Sequence, residues 1–169
     1  MLYESLWGNT AAVARAIAEG IGPATRVGHT GEITPQEAAN AALLVVGAPV
    51  HAMSLPTAGS LASVARRART PGHLRADVDQ PLLREWLAEL PECTTPAAAF
   101  DTRIRGFLGR GGASTIERML KARGLRLVDK GEGFIVLNQR AVREEGSMLK
   151  EGELARAHTW GAHLAQLLE

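Results

Sequence analysis

The stretch Ser5-Leu6-Trp7-Gly8-Asn9-Thr10 lies between a short apolar run at residues 1–3 and an alanine-rich pattern at residues 11–20. This order is typical of a strand, a glycine-containing loop and a helix. Gly8 lets the backbone approach an anion, and the short polar side chains beside it lie where free helical N–H groups and the helix dipole favour negative charge. The stretch therefore predicts a site for a phosphate monoester.

Two other phosphate-binding patterns do not fit this stretch. It lacks the lysine and the spacing of a Walker A loop, and it lacks the three glycines of a dinucleotide fingerprint. ATP and NAD are therefore disfavoured as ligands of the loop. A purely structural alternative stays open, in which Gly8-Asn9-Thr10 only forms the turn between the strand and a capped helix.

The length and composition of the chain predict a single domain over residues 1–169. Of the 169 residues, 46% are hydrophobic and 22% are charged, and a chain of this size buries a core without disulfides or metals. No apolar run is long enough to span a bilayer, and no secretory signal is visible. We therefore expect a cytoplasmic protein without a membrane segment.

The residue types argue against several further functions. Cys93 is the single cysteine, so no internal disulfide is expected, and His158 and His163 diverge around a helix, so no metal site is expected. No stripe of basic and aromatic residues favours nucleic-acid binding. The formal net charge of +1 selects no partner and specifies no oligomeric state.

Apolar patterns along the chain alternate between strands and helices. Strands are predicted at residues 1–4, 25–30, 42–47 and 97–100, followed by an interrupted last strand at residues 125–128 and 134–137. Helices are predicted at residues 11–20, after Thr34, at residues 83–90, from a capping box of Ser114 and Glu117, and at residues 153–168. This alternation predicts an α/β fold in which helices cover both faces of a parallel sheet.

Three stretches of the chain resemble the flavodoxin family. The loop from Ser5 to Thr10 is similar to the family's Ser/Thr-x-Thr-Gly-Asn-Thr loop, which holds the phosphate of FMN, although Leu6 and Trp7 stand where one more hydroxyl is usual. Residues 45–49 and 99–103 are similar to its flavin-flanking loops. The resemblance implies a three-layer αβα sandwich with a five-stranded parallel sheet in the order 2-1-3-4-5, whose loops at residues 5–10, 48–55 and 101–106 meet at one edge.

The resemblance also implies that FMN is the cofactor. Its phosphate would take the N–H groups of residues 6–10, and its ring would lie between the second and third loops. The implied FMN-binding residues are Ser5, Leu6, Trp7, Gly8, Asn9, Thr10, Pro49, Val50, His51, Ala52, Met53, Phe100, Asp101, Thr102 and Arg103.

Four of these residues have a structural alternative that stays open. The functional role of His51 would be to stack on the flavin or to pass a proton near its N5 atom. In the structural alternative it is only a partly exposed loop histidine. Asp101 binds ribityl hydroxyls or the N3–H of the ring, or it caps the next backbone turn. Trp7 packs over the ribityl chain or against the first helix. Arg103 binds a nicotinamide nucleotide or an acidic substrate, or it belongs to a solvated basic loop.

The function implied by the resemblance is an FMN-binding redox role, as a reductase component or in electron transfer. The second loop has no glycine among residues 50–53, so a peptide flip on one-electron reduction would be strained there. This favours an FMN-dependent NAD(P)H or quinone-type oxidoreductase over a one-electron carrier. A redox protein or NAD(P)H is then the expected partner.

A cofactor-free domain with a binding or regulatory role is the alternative function. It is favoured by the hydroxyl missing from the loop, by the lack of a Tyr or Trp in the third loop, and by the short first strand. Only residues 1–4 precede the loop, so either the chain starts late or upstream residues are missing.

Overall fold

The computed structural model describes residues 1–51, 53–67, 74–106, 111–137 and 144–168. Within these residues the strands are β1 (Leu2–Tyr3), β2 (Gly28–His29), β3 (Leu44–Pro49), β4 (Pro96–Ile104), β5 (Arg126–Leu127) and β6 (Glu132–Val136). The helices are α1 (Asn9–Ile21), α2 (Pro35–Ala39), α3 (Ala58–Arg67), α4 (Leu83–Glu89), α5 (Gly112–Ala122) and α6 (Glu153–Gln166). No helix in the described ranges is long and apolar enough to cross a bilayer.

The strands form one parallel sheet in the order β2-β1-β3-β4-β5. β6 also pairs with β4, further along it than β5, so β5 and β6 together form the interrupted last strand. The predicted order and the predicted interruption are both confirmed. β1 is central although it has only two residues, because Leu2 and Tyr3 pair with β2 on one side and β3 on the other.

Two strands extend further than the apolar pattern predicts. β3 continues to Pro49 and β4 to Ile104, so the expectation that residues 101–104 form a loop was wrong. β6 pairs with residues 100–104 of β4, and the Val50 N–H donates to the Thr102 carbonyl at 2.8 Å. The polar residues that follow Phe100 interrupt the apolar run without ending the hydrogen-bonded strand.

Helices cover both faces of the sheet and form the three-layer arrangement. On one face α2, α4 and α5 pack against residues such as Val46 and Ala48. On the other face α1 and α6 pack against residues such as Val45 and Phe100. The two helices of the second face approach closely, since a Cβ atom added at Gly161 of α6 would lie 2.1 Å from the Ile17 carbonyl oxygen of α1.

The helix starts agree with the sequence signals in one case and differ in another. Thr34 caps α2 as predicted, because its Oγ1 accepts from the Glu37 N–H at 3.2 Å. The capping box at Ser114 was wrong: α5 begins at Gly112, and Glu117 Oε1 accepts instead from the Gly131 N–H at 2.6 Å. Glu117 therefore ties α5 to the chain entering β6.

Candidate functional site

The loop between β1 and α1 turns at Gly8, which precedes the first residue of the helix. Gly8 has φ 78°, a left-handed conformation that non-glycine side chains rarely adopt. A Cβ atom there would also lie 2.8 Å from Glu145 Cβ. Backbone conformation and space both favour glycine at this position.

The backbone N–H groups of residues 6–10 make no hydrogen bond to another residue in the described part of the chain. The next N–H group, of Ala11, donates to Ser5 Oγ at 3.3 Å. Free N–H groups at a helix N-terminus, together with the helix dipole, attract an anion. The loop thus presents a row of donors at the site that the sequence predicts for a phosphate.

The carbonyl groups of the same loop are held from two sides. Leu6 accepts a hydrogen bond from the Asp77 N–H at 2.8 Å, and Trp7 accepts one from the Gly146 N–H at 2.9 Å. Leu6 is buried and Trp7 is half-buried. These two bonds fix the loop without using its N–H groups.

The side chains of Asn9 and Thr10 are occupied by distant parts of the chain. Asn9 Oδ1 accepts from the Met148 N–H at 3.1 Å. The hydroxyl oxygens of Thr10 and Thr102 lie 2.8 Å apart. Asn9, Thr10 and Ser5 are all buried, so these side-chain contacts lie inside the protein.

The second loop begins at Pro49 and Val50, which still belong to or adjoin β3. His51 and Ser54 then form a narrow turn, with the His51 N–H donating to Ser54 O at 2.8 Å and the Ser54 N–H donating to His51 O at 3.1 Å. Met53 has φ 66° in this turn, and 47% of the residue is exposed. Ala52, a predicted FMN-binding residue, lies outside the described residues.

The third group of predicted site residues lies inside β4. Phe100 is fully buried, with its ring 6.1 Å from that of Phe134 in the core. Asp101 is also fully buried; its Oδ2 accepts from the Ala113 N–H at 2.8 Å, and its Oδ1 forms an ion pair with Arg103 Nε at 2.7 Å. Asp101 therefore positions the start of α5.

Burial raises the pKa of Asp101 to about 6, although the Ala113 N–H and the Arg103 charge oppose this rise. Arg103 itself is mostly covered, since 22% of its side chain is exposed. Its guanidinium group lies against the backbone of β6, where a Cβ atom at Gly133 would clash with it. Arg103 is thus a partner of Asp101 and not part of a solvated loop.

Glu4 belongs to this edge of the sheet and was not predicted from the sequence. It is 3% exposed, and its Oε2 accepts from the Leu83 N–H at 3.0 Å. Burial raises its pKa to about 7, while the Leu83 N–H and the Arg84 charge lower it. A signal existed in the sequence, because a carboxylate that continues a buried central strand must find a partner.

The parallel register brings the predicted residues of the three loops to the same edge of the sheet. Residues 5–10, 49–51, 53–54 and 101–104 all lie at the carboxyl ends of neighbouring strands, where ligands bind in open α/β sheets. Phe100 is the exception, since its ring points into the core beneath this edge.

Known structures share this arrangement at low sequence identity. A flavodoxin from the domain Archaea matches with a TM-score of 0.62 and 16% identity, over 99% of this chain and 95% of its own. Flavodoxin 1 from Bacillus cereus matches with a TM-score of 0.63 and 14% identity, over 98% of this chain and 95% of its own. The flavodiiron core of a Synechocystis protein has a TM-score of 0.59 and 17% identity, over 99% of this chain but 34% of its own.

No family model and no curated protein matches the sequence. The likeness to solved structures concerns the whole described sheet and its helices, including the strand order β2-β1-β3-β4-β5. The chain therefore has the flavodoxin-like fold that the resemblance of its three stretches implied.

Proposed function

We propose that the chain binds FMN at the carboxyl edge of its sheet and takes part in redox chemistry. The observation that carries the proposal is the row of N–H groups at residues 6–10, at the start of α1, which have no hydrogen-bond partner among the described residues. A phosphate monoester supplies several acceptor oxygens and the negative charge that this helix end favours. The fold is shared with flavodoxins, which supports FMN as the phosphate monoester.

The residues of the loop fit a phosphate through their backbone. Gly8 allows the close turn, and the bonds from Asp77 and Gly146 to the loop carbonyls hold the N–H groups in one arrangement. The buried side chains of Asn9 and Thr10 stabilise the loop instead of contacting the ligand. In this proposal the specificity for phosphate comes from N–H geometry and the helix dipole.

The flavin ring would lie beside the second loop and the end of β4. His51 and Met53 flank this place, and the 47% exposure of Met53 leaves apolar surface for a ring to cover. Asp101 contributes by holding the start of α5 rather than by contact. When bound, FMN would accept a hydride or single electrons. The protein would position the flavin, set its electrostatic environment and exclude water.

Within this redox role we propose a two-electron reductase component. The proposal rests on the second loop, where Met53 is a non-glycine residue at φ 66° and no glycine is available for a peptide flip. NAD(P)H is the proposed donor and a quinone-type compound the proposed acceptor. Stopped-flow mixing of the FMN-loaded protein with NADPH tests this: rapid bleaching of the flavin supports a reductase, and no reaction contradicts it.

A second candidate is a cofactor-free domain with a binding or regulatory role. It is favoured by one observation, that the side chains of Ser5, Asn9 and Thr10 already have partners within the protein. Absorbance of the purified protein distinguishes the two candidates. About one FMN per chain after reconstitution and gel filtration supports the first, and protein that stays colourless with excess FMN supports the second.

A further inference from the structure

Beside the proposed FMN site, a group of three polar residues at the start of α4 and next to it links the first and second loops. Its members are Glu4, which directly precedes the first loop, Arg84 in the first turn of α4, and Ser54 at the end of the second loop. None of them was among the predicted site residues. The three are far apart in sequence and are joined by hydrogen bonds through α4.

The first link runs from β1 to α4. The Leu83 N–H donates to Glu4 Oε2 at 3.0 Å, and Glu4 is almost completely buried. The segment that leads into α4 is fixed to neighbouring strands and loops as well, because Thr30 Oγ1 donates to the Pro81 carbonyl at 2.6 Å and the Asp77 N–H donates to Leu6 O at 2.8 Å. The start of α4 is thus anchored beside the phosphate loop.

The second link runs from α4 to the second loop. Arg84 Nη2 donates to Ser54 Oγ at 2.6 Å and lies 3.4 Å from the Leu55 carbonyl oxygen. Ser54 in turn exchanges two backbone hydrogen bonds with His51 across the turn that holds Met53 in a left-handed conformation. A strained turn persists only where surrounding contacts determine it, and Arg84 supplies such a contact.

We propose that Glu4 and Arg84 are positioning residues that hold the second loop in register with the phosphate loop. Glu4 fixes the first turn of α4, and Arg84 on that turn fixes Ser54 and Leu55. The consequence for the FMN site rests on the proposed function, but the effect on the loop itself does not. Neither side chain needs to contact the cofactor.

Two charged residues of α4 act on the Glu4 carboxyl in opposite senses. Arg84 is the cation that acts on Glu4, and Glu85, which is exposed, is the nearby anion that opposes it. The guanidinium of Arg84 therefore serves both loops, by its charge toward Glu4 and by its hydrogen bonds toward Ser54. Glu85 offers a matched control, since it lies on the same helix without a hydrogen bond to either loop in the described residues.

Amide hydrogen exchange of the FMN-free protein tests the proposal without relying on the cofactor. We expect Arg84→Met to speed exchange at the Ser54 amide by about tenfold or more, because a hydrogen bond from a charged donor is lost. Arg84→Lys should restore part of the protection. Arg118→Met, at an exposed arginine on α5, should leave the Ser54 amide unchanged.

Variants of Glu4 give a second test that does not require loss of folding. Glu4→Gln keeps an oxygen for the Leu83 N–H, so amide exchange at Ser54 should stay within about twofold of the wild-type rate. Glu4→Leu removes that oxygen and should speed amide exchange at both Leu83 and Ser54. Glu85→Gln should have no effect. Unchanged Ser54 exchange in Arg84→Met would overturn the proposal, and so would equal acceleration at all amides of the sheet.

FMN titrations separate this inference from the proposed function. If the wild type binds FMN, Arg84→Met should weaken the affinity while Arg118→Met leaves it unchanged. Wild-type protein that ignores FMN would refute the proposed function but would leave the exchange result as the test of the positioning role. Unchanged FMN affinity in Arg84→Met, in a wild type that binds, would refute the link between this group and the site.

Discussion

The hydroxyl oxygens of Thr10 and Thr102 lie 2.8 Å apart and join the first turn of α1 to the carboxyl-terminal part of β4. Both side chains are almost completely buried, at 1% and 2% exposure. The bond connects the first loop to the strand that carries the third group of site residues. It also gives the Thr10 hydroxyl a hydrogen-bond partner within the protein.

Replacing both members of this pair should destabilise the protein less than the sum of the two single replacements. Thr10→Val or Thr102→Val leaves a buried hydroxyl without its partner, and each should lower the free energy of unfolding by about 1–2 kcal/mol. The double variant should lose less than the sum, since two apolar groups then face each other. Urea denaturation of the four proteins checks this, with exposed Thr159→Val as the control; strictly additive losses would contradict the pairing.

Gly8→Ala should damage both the fold and the loop. Alanine at φ 78° costs about 1–2 kcal/mol, and its Cβ would press on Glu145. We expect a lower free energy of unfolding and much weaker FMN binding, measured by urea denaturation and flavin fluorescence.

Gly22→Ala is the matched control for this change. Gly22 has φ 137° at the other end of α1, with open space around it. Gly22→Ala should lower the free energy of unfolding through the backbone strain alone and should leave the FMN affinity unaltered. If the two variants bind FMN equally, the loop geometry at Gly8 is not what holds the ligand.

Close packing of α1 against α6 predicts a large effect of a single methyl group. A Cβ atom at Gly161 would lie 2.1 Å from the Ile17 carbonyl oxygen, so Gly161→Ala must push the helices apart. Overpacking of this kind costs about 1–3 kcal/mol. Chemical denaturation should show that loss, whereas Gly59→Ala, which has open space in α3, should be neutral or stabilising. A neutral Gly161→Ala would contradict the close approach of the helices.

The pH dependence of stability should reflect two buried carboxyl groups. Glu4 has a pKa of about 7 in the folded state against 4.5, and Asp101 has about 6 against 3.8. The folded state binds protons more tightly, so the stability from these groups is complete at low pH and is lost as the pH rises through about 6 to 7. The free energy of unfolding should therefore fall as the pH increases from 4.5 to 7.

The Glu4→Gln variant isolates the contribution of Glu4. Between pH 4.5 and 7, the free energy of unfolding should fall less in the variant than in the wild type. Above pH 7 the variant should be the more stable of the two. The buried amino group of Met1, with its pKa lowered to about 6 by burial, acts in the opposite sense between pH 6 and 8. Urea denaturation between pH 4.5 and 6 avoids this overlap, and an unchanged slope in the variant would contradict the burial of an ionisable Glu4.

Features that depend on neighbouring residues could be predicted from the sequence. The turn at Gly8, the cap at Thr34 and the buried strand predicted at residues 42–47, which the structure has at Leu44–Pro49, each follow from local residue types. The strand order came from resemblance at three stretches, which the sheet then confirmed. Local conformation and apolar periodicity suffice for these features.

Roles that depend on distant partners could not be predicted. Asn9 carries an ideal side chain for a phosphate loop, but its partner is the N–H of Met148, which lies 139 residues away. The sequence leaves two roles open for Asp101, because its partner, the Ala113 N–H in the first turn of α5, lies twelve residues away. Glu4 was missed since its partner at Leu83 appears only when α4 packs beside β1.

A titration of the protein with FMN and, separately, with riboflavin tests the central claim most directly. The two ligands share the isoalloxazine ring and the ribityl chain and differ in the phosphate, which the N–H groups of residues 6–10 are proposed to bind. We predict that FMN binds with a stoichiometry of about one per chain and at least about tenfold more tightly than riboflavin, because charge-assisted hydrogen bonds to the phosphate are lost in riboflavin. Equal affinity for the two flavins, or no binding of either, would contradict the claim.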